Sequence, residues 1–267
     1  VMPAPRISSL DIFQAMYADG FFEEYLNAGF HPHVQTHRGC PFTCAYCHTS
    51  DKYYSKMLFL SPAIFREDME YLGKHFRGQH NIILYMGNTN MSLFDEDFKI
   101  AEIIRQTQEK YDWPRIVSSN SGKDPQKLLK MQAIMPFQAS ISLQTLTARS
   151  LKIIRRKNIP FKDFLYFTKE VNRATKETSS TDLILPLPQE TKKSFIQTLK
   201  RVINAGIQNI VVYTLMNLKG TPLAGEDYAN RYGYIIRHRI VPRQFSEING
   251  KKIFETEEVV VGTKTIS

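Results

Sequence analysis

Gln35-Thr36-His37-Arg38-Gly39-Cys40-Pro41-Phe42-Thr43-Cys44-Ala45-Tyr46-Cys47 contains every cysteine of the chain, spaced C-x3-C-x2-C. An odd, tightly clustered set is a poor disulfide framework and points to a metal site in a reducing compartment, with the cytoplasm as the default. A cubane iron–sulfur cluster normally takes one thiolate per iron. Three close cysteines on a loop therefore hold three irons and leave the fourth open to a ligand that is not protein. Gly39 and Pro41 suit the sharp turn such a loop needs. The competing reading is structural zinc on Cys40, Cys44 and Cys47 with His48 or His37 as fourth ligand. Structural zinc prefers paired Cys-x2-4-Cys arms set about a dozen residues apart, and no second arm follows here. The spacing favours the open cluster.

Outward from this loop, short apolar runs alternate with longer amphipathic stretches. His33-Val34-Gln35-Thr36 reads as a strand entering the loop. Ser61-Pro62 supplies an N-cap and a first-turn proline for a helix through about Gly73. Ile82 to Met86 reads as a buried strand stopping at Gly87, and a helix with Phe98, Ala101 and Ile104 on one face ends near Tyr111. Arg115–Ser118 and Ala139–Leu143 are further strands, with helices from Pro125 and Thr147. Asp182–Leu185 is a strand closed by Pro186. Phe195, Leu199, Val202 and Ile203 mark a helix stopped by Gly206, and Ile210–Tyr213 is a sixth strand. Such alternation means βα units and a parallel sheet. Six units are too few for the eight-unit barrel, so an open partial barrel is expected, with its site at the C-terminal strand ends. Val259-Val260-Val261 is expected in an added β-hairpin.

The 267 residues are 42% hydrophobic and 23% charged, the composition of an ordinary globular protein. No apolar run approaches the ~20 residues that span a bilayer. The formal charge of +9, from 35 basic and 26 acidic residues, favours anionic partners. The basic residues are scattered, as at Arg155-Arg156-Lys157 and Lys192-Lys193, which suits a solvated surface better than a nucleic-acid footprint. Val1-Met2-Pro3-Ala4-Pro5 is neither a signal nor a transit peptide and does not look like a natural start.

The segment from Gln35 to Cys47 resembles the radical S-adenosylmethionine (SAM) signature, in the form found in cobalamin-binding members of that superfamily. The resemblance runs along most of the chain. It implies an α/β fold, a partial (β/α)6 TIM-like barrel of the radical SAM type with a C-terminal β-hairpin extension. It divides the chain into an N-terminal arm or linker from an upstream domain (1–30), the radical SAM core (31–245) and a C-terminal β extension (246–267). The implied cofactors are a 4Fe–4S cluster on Cys40, Cys44 and Cys47, S-adenosylmethionine on its open iron, and cobalamin bound by a domain absent from this chain.

Further positions follow from the same resemblance. Tyr46, before the last cysteine, is placed near the adenine. Gly87-Asn88-Thr89-Asn90 resembles the family's Asp-x-Asn-Phe segment that receives the methionyl amine, with neutral Asn88 in the acidic position, and Asn90 matching. The alternative for Gly87-Asn88 is a turn ending the strand. Ser142-Leu143-Gln144 resembles a segment lining the pocket, so Ser142 and Gln144 are candidates. A basic residue of the next helix pairs with the methionyl carboxylate. A guanidinium suits that pairing because it is planar and binds carboxylate bidentately; of Arg155 and Arg156 the latter is preferred, with a solvated helix end as the alternative. Asp182-Leu183-Ile184-Leu185-Pro186-Leu187-Pro188-Gln189-Glu190-Thr191 resembles Glu-Leu-Ile-x-Gly-Leu-Pro-Gly-Glu-Thr near the adenosine, with Asp182 as the shortened acid and Pro186 and Gln189 replacing glycines.

The functional expectation is a radical enzyme that reductively cleaves S-adenosylmethionine to a 5′-deoxyadenosyl radical, as the core of a cobalamin-dependent methyltransferase. Two alternatives are a tRNA methylthiotransferase-like radical enzyme and a non-catalytic zinc or iron–sulfur module. The expected partners are a small-molecule or peptide substrate and an external electron donor of flavodoxin or ferredoxin type, with no membrane or nucleic acid.

Overall fold

The computed structural model describes residues 7–135, 137–175 and 180–266. The opening Val1–Pro5 stretch lies outside the described residues. In chain order the elements are α1 (Glu23–Asn27), β1 (His33–Val34), β2 (His37–Arg38), β3 (Leu58–Phe59), α2 (Pro62–His75), β4 (Leu84–Met91), α3 (Asp95–Tyr111), β5 (Val117–Ser121) and α4 (Pro125–Ile134). There follow β6 (Gln138–Ser140), α5 (Ala148–Ile153), α6 (Phe161–Thr175), β7 (Ser180–Leu185), α7 (Lys192–Asn204), β8 (Asn209–Thr214), α8 (Glu226–Tyr232), β9 (Ile235–Ile248) and β10 (Lys251–Gly262). The chain divides into two compact units. One comprises Val1–Pro41, Lys56–Ile141 and Ile159–Ser179; the other comprises Phe42–Ser55, Ser142–Asn158 and Ser180–Ser267.

The first unit is built on a parallel sheet in the order β1-β4-β5-β6. In β4 Leu84, Met86 and Asn88 are buried while Tyr85 is exposed, the alternation that pleating imposes. Helix α2 starts where Ser61 Oγ accepts from Ala63 N and buries Phe65, Met69 and Leu72. Helix α3 carries Asp95, Glu96 and Asp97 in its first turn, where acids offset the helix dipole, and buries Ile100, Ile103 and Ile104. A Cβ on Gly73 of α2 would stand 2.4 Å from the Tyr111 ring of α3, so only glycine allows this close approach. Burying each large apolar side chain contributes roughly 1.5–3 kcal/mol before entropy is counted.

Two strands differ from their sequence expectation. The strand expected to stop at Gly87 continues to Met91, because after an irregular stretch its ladder to β5 resumes at Met91 opposite Ser121. The strand expected over His33–Thr36 pairs with β4 only at His33 and Val34. The chain then diverges, and His37–Arg38 pairs antiparallel with Leu58–Phe59.

In the second unit β7 and β8 form a parallel pair, and Gln144 makes a parallel bridge to Leu183. Thr191 Oγ1 accepts from Ser194 N to cap α7. Ala45, Ile154, Ile184, Leu187, Leu215, Leu223 and Val260 share one apolar core. Ala45 N donates to Ile154 O at 2.9 Å, and its carbonyl accepts from Leu223 N at 3.0 Å. The part of the cysteine loop that holds Cys44 and Cys47 is thus anchored in this core. Strands β9 and β10 form the expected antiparallel hairpin, but it begins at Ile235, ahead of the boundary expected at residue 246.

The parallel strands β1, β4, β5, β6, β7 and β8 are the six expected from the alternating pattern, in sheets of four and two, and no closed barrel forms among the described residues. No helix among those residues is long and apolar enough to cross a membrane.

Candidate active site

In the first unit, Gly39 adopts φ +118, a conformation that L side chains rarely take, and so delivers Cys40 at the end of a sharp turn. Cys40 lies beside the end of β4. Asn90 Nδ2 donates to Cys40 Sγ at 3.4 Å and to Thr89 Oγ1 at 3.1 Å, and Thr89 Oγ1 donates to Gly39 O at 2.7 Å.

Asn88 has a different position from the one its motif implied. It is fully buried inside β4, so it is neither a turn residue nor positioned like an exposed acid. Its Oδ1 accepts from Thr36 N at 2.9 Å and His37 N at 3.2 Å, while Nδ2 donates to Thr36 Oγ1 at 2.7 Å and also meets Met91 Sδ. With its amide used on all sides, Asn88 braces the segment entering the cysteine loop and has nothing left for an ammonium. His37, one of the zinc alternatives, is fully buried with Nδ1 2.9 Å from Asp97 Oδ1, while its Nε2 has no hydrogen-bond partner among the described residues.

In the second unit, Tyr46, Arg156, Ser142 and Asp182 form one connected network. Arg156 Nη1 donates to Tyr46 Oη at 2.7 Å, Nη2 to Ser142 O, and Nε to Asn158 Oδ1 at 2.9 Å. Asn158 Nδ2 in turn donates to Leu143 O and Thr145 O. Ser142 Oγ donates to Asp182 Oδ2 at 2.5 Å. Arg155 is exposed, whereas Arg156 is half-buried and engaged by these protein partners. Burial pushes the Tyr46 phenol above its ordinary pKa; Arg156 opposes this, and Cys44, within hydrogen-bonding reach, adds to it.

Gln144 has φ +64, held by backbone bonds from Gln144 N to Asp182 O and from Ile184 N to Gln144 O. Its Oε1 is buried without a protein partner. An acceptor in that state is costly unless a ligand satisfies it, which fits the sequence expectation that Gln144 lines a cofactor pocket. Gln189, in place of a family glycine, adopts φ +63 with its side chain exposed, and so keeps the glycine backbone. Glu190 is wholly buried and accepts from Thr145 Oγ1 and Thr147 Oγ1, each at 2.6 Å, and from Ser194 Oγ.

The donor set suits an iron–sulfur cluster. All three thiols are free of disulfides, and Cys47 Sγ is 3.0 Å from Thr49 Oγ1. Among the described residues no three His, Cys, Asp or Glu side chains already stand together as a ligand set, so the assignment rests on donor chemistry and spacing. Thr49, Thr89, Asn158 and the His37–Asp97 pair were not foreseen. Thr49, Asn158 and Thr89 had a local signal, the first two lying two residues beyond a residue already singled out and Thr89 lying between Asn88 and Asn90.

The family model described as the radical SAM superfamily matches residues 34–228. The chain is 25% identical over 242 residues to the cobalamin-dependent radical SAM methyltransferase TokK of Streptomyces tokunonensis, covering 87% of this chain and 34% of that protein. It is 24% identical over 218 residues to the 2-(S-pantetheinyl)-carbapenam-3-carboxylate methyltransferase of Streptantibioticus cattleyicolor, covering 79% of this chain and 30% of that one. It thus spans about a third of the length of these curated relatives. Its fold is similar to that of the radical S-adenosylmethionine methyltransferase TsrM from Kitasatospora setae, with a TM-score of 0.62 at 12% identity over 82% of this chain and 43% of that one.

Proposed function

This chain belongs to the radical SAM superfamily, with its 4Fe–4S cluster and S-adenosylmethionine, and on that premise we propose that it is the core of a cobalamin-dependent radical methyltransferase. The observation that carries the proposal is the likeness to two curated methyltransferases along most of the chain, joined to a loop of three unpaired cysteines. When bound, the reduced cluster supplies the electron that breaks a C–S bond of S-adenosylmethionine and releases a 5′-deoxyadenosyl radical.

The chain's own residues bind and orient. Cys40, Cys44 and Cys47 hold the cluster. Tyr46 packs against the adenine, and its hydroxyl is pinned by Arg156. A guanidinium has five N–H donors, so Arg156 retains two for the methionyl carboxylate. Asn90 Oδ1 receives the methionyl ammonium, a role Asn88 cannot fill. Ser142, Gln144 and Asp182 line the adenosine side, where the Gln144 carbonyl gains its missing donor. No residue of this chain is assigned to cobalamin, which is held outside it. An external flavodoxin- or ferredoxin-type protein delivers the electron in the reducing cytoplasm. The substrate is a small molecule or peptide.

The test is anaerobic reconstitution with iron, sulfide and a one-electron reductant, followed by assay for 5′-deoxyadenosine and S-adenosylhomocysteine with the full-length protein. Both products are expected, the second only with cobalamin. Methylation that proceeds equally well without cobalamin would overturn the cobalamin part. Absence of deoxyadenosine from iron-loaded, reduced protein would overturn the radical part.

A further inference from the structure

Cys40 and Cys47 each have an uncharged side-chain partner at the sulfur. Asn90 reaches Cys40 Sγ at 3.4 Å, and Thr49 reaches Cys47 Sγ at 3.0 Å. The direction of each bond can be deduced. Thr89 Oγ1 gives its proton to Gly39 O, so it must accept from Asn90, which assigns the nitrogen of the Asn90 amide to the side facing Thr89 and Cys40. A ligating cysteine is a thiolate and can only accept, so at Cys47 the threonine hydroxyl donates.

We propose that Asn90 and Thr49 set the reduction potential of the cluster by donating hydrogen bonds to the thiolates of Cys40 and Cys47. The inference rests on the reading that these cysteines hold a 4Fe–4S cluster. Reduction adds an electron that is shared by the iron and its sulfur ligands. A donor at the sulfur stabilises the more negative, reduced state more than the oxidised one, and the potential rises. Both donors are fixed before any cluster binds. Asn90 is buried and held through Thr89 to the turn at Gly39, and Thr49 sits in the short turn immediately after Cys47. Thr49 has no other assigned role, so its effect falls on how readily the protein accepts an electron from its donor, whereas Asn90 also serves the methionyl ammonium.

The experiment uses the intact chain, reconstituted anaerobically, with iron and sulfide counted and the midpoint potential read by an EPR-monitored titration. Thr49→Val removes the donor and keeps the shape, Thr49→Ser keeps the donor, and Asn90→Leu removes the amide. Iron and sulfide stay at about four per chain in each. The two donor-less variants are expected to be roughly tenfold harder to reduce, about 59 mV more negative for a one-electron couple. Thr49→Ser stays with the parent protein. Fully loaded Thr49→Val that titrates at the parent potential overturns the proposal. The threonine pair decides the matter even if Asn90→Leu fails to fold, because Thr49 lies in a partly exposed turn. A parent protein that takes up zinc, or iron without acid-labile sulfide, sinks the cluster reading itself.

Discussion

Gln189 stands where the family's segment carries glycine, and its φ of +63 shows that the backbone demand survived the loss of the residue suited to it. A side chain in the left-handed region costs roughly 1–2 kcal/mol, partly offset because glycine is more flexible in the unfolded chain. Gln189→Gly is therefore expected to stabilise the protein by about 0.5–1 kcal/mol in denaturant titration. An equal loss of stability would mean that the exposed Gln189 side chain makes a contact worth more than the strain. The same residue-level logic applies to Asn88 and Arg156. Their motif neighbourhoods were legible in sequence, but their roles were not. The Thr36 and His37 partners of the Asn88 amide lie 52 and 51 positions away, and the Tyr46 hydroxyl that engages Arg156 lies 110 positions away.

At the scale of elements, Asp68 ties helix α2 to the N-terminal arm, accepting from Tyr17 N at 2.8 Å and Ala18 N at 3.1 Å. Burial pushes its carboxyl up to about 6, against the lowering effect of those two N–H donors. A carboxyl whose folded pKa exceeds its unfolded value makes the native state bind more protons over that range. Stability therefore falls as pH rises from about 4 to about 6 and stays lower above it. Asp68→Asn keeps the acceptor and removes the charge. Denaturant titration should show a gain on the order of 1–2 kcal/mol at pH 7 that vanishes near pH 4. A variant that loses stability at pH 7 would show that the ionised carboxylate is the better partner for Tyr17 and Ala18. Element positions were largely legible, because periodicity and caps are local; Ser61-Pro62 and Pro125 each open a helix as expected, and the helix marked by Phe195, Leu199, Val202 and Ile203 forms. The extension of β4 past Gly87 was not legible, since a ladder that lapses and resumes depends on the neighbouring strand.

At the scale of the whole chain, the net charge of +9 bears on the proposed encounter with an electron donor. Flavodoxin- and ferredoxin-type donors of acidic surface would be steered toward it, and salt screens that attraction within about 10 Å at 0.1 M. The rate of cluster reduction by such a donor is expected to fall several-fold between about 20 and 200 mM salt, followed by stopped-flow absorbance. A rate indifferent to salt would mean that charge does not guide the encounter.

By itself the sequence determined the parallel βα order and the family, and it named the cysteines proposed to hold the cluster, because cysteine spacing and hydrophobic periodicity are properties of neighbours along the chain. Tertiary structure alone decided that Asn88 is a brace, that Arg156 is the engaged arginine, and that Asn90 and Thr49 reach the thiols of Cys40 and Cys47. Even Thr49, only two residues from Cys47, shows the limit: adjacency suggests a contact, but a hydrogen bond needs a distance and a direction, and those exist only once the backbone has turned.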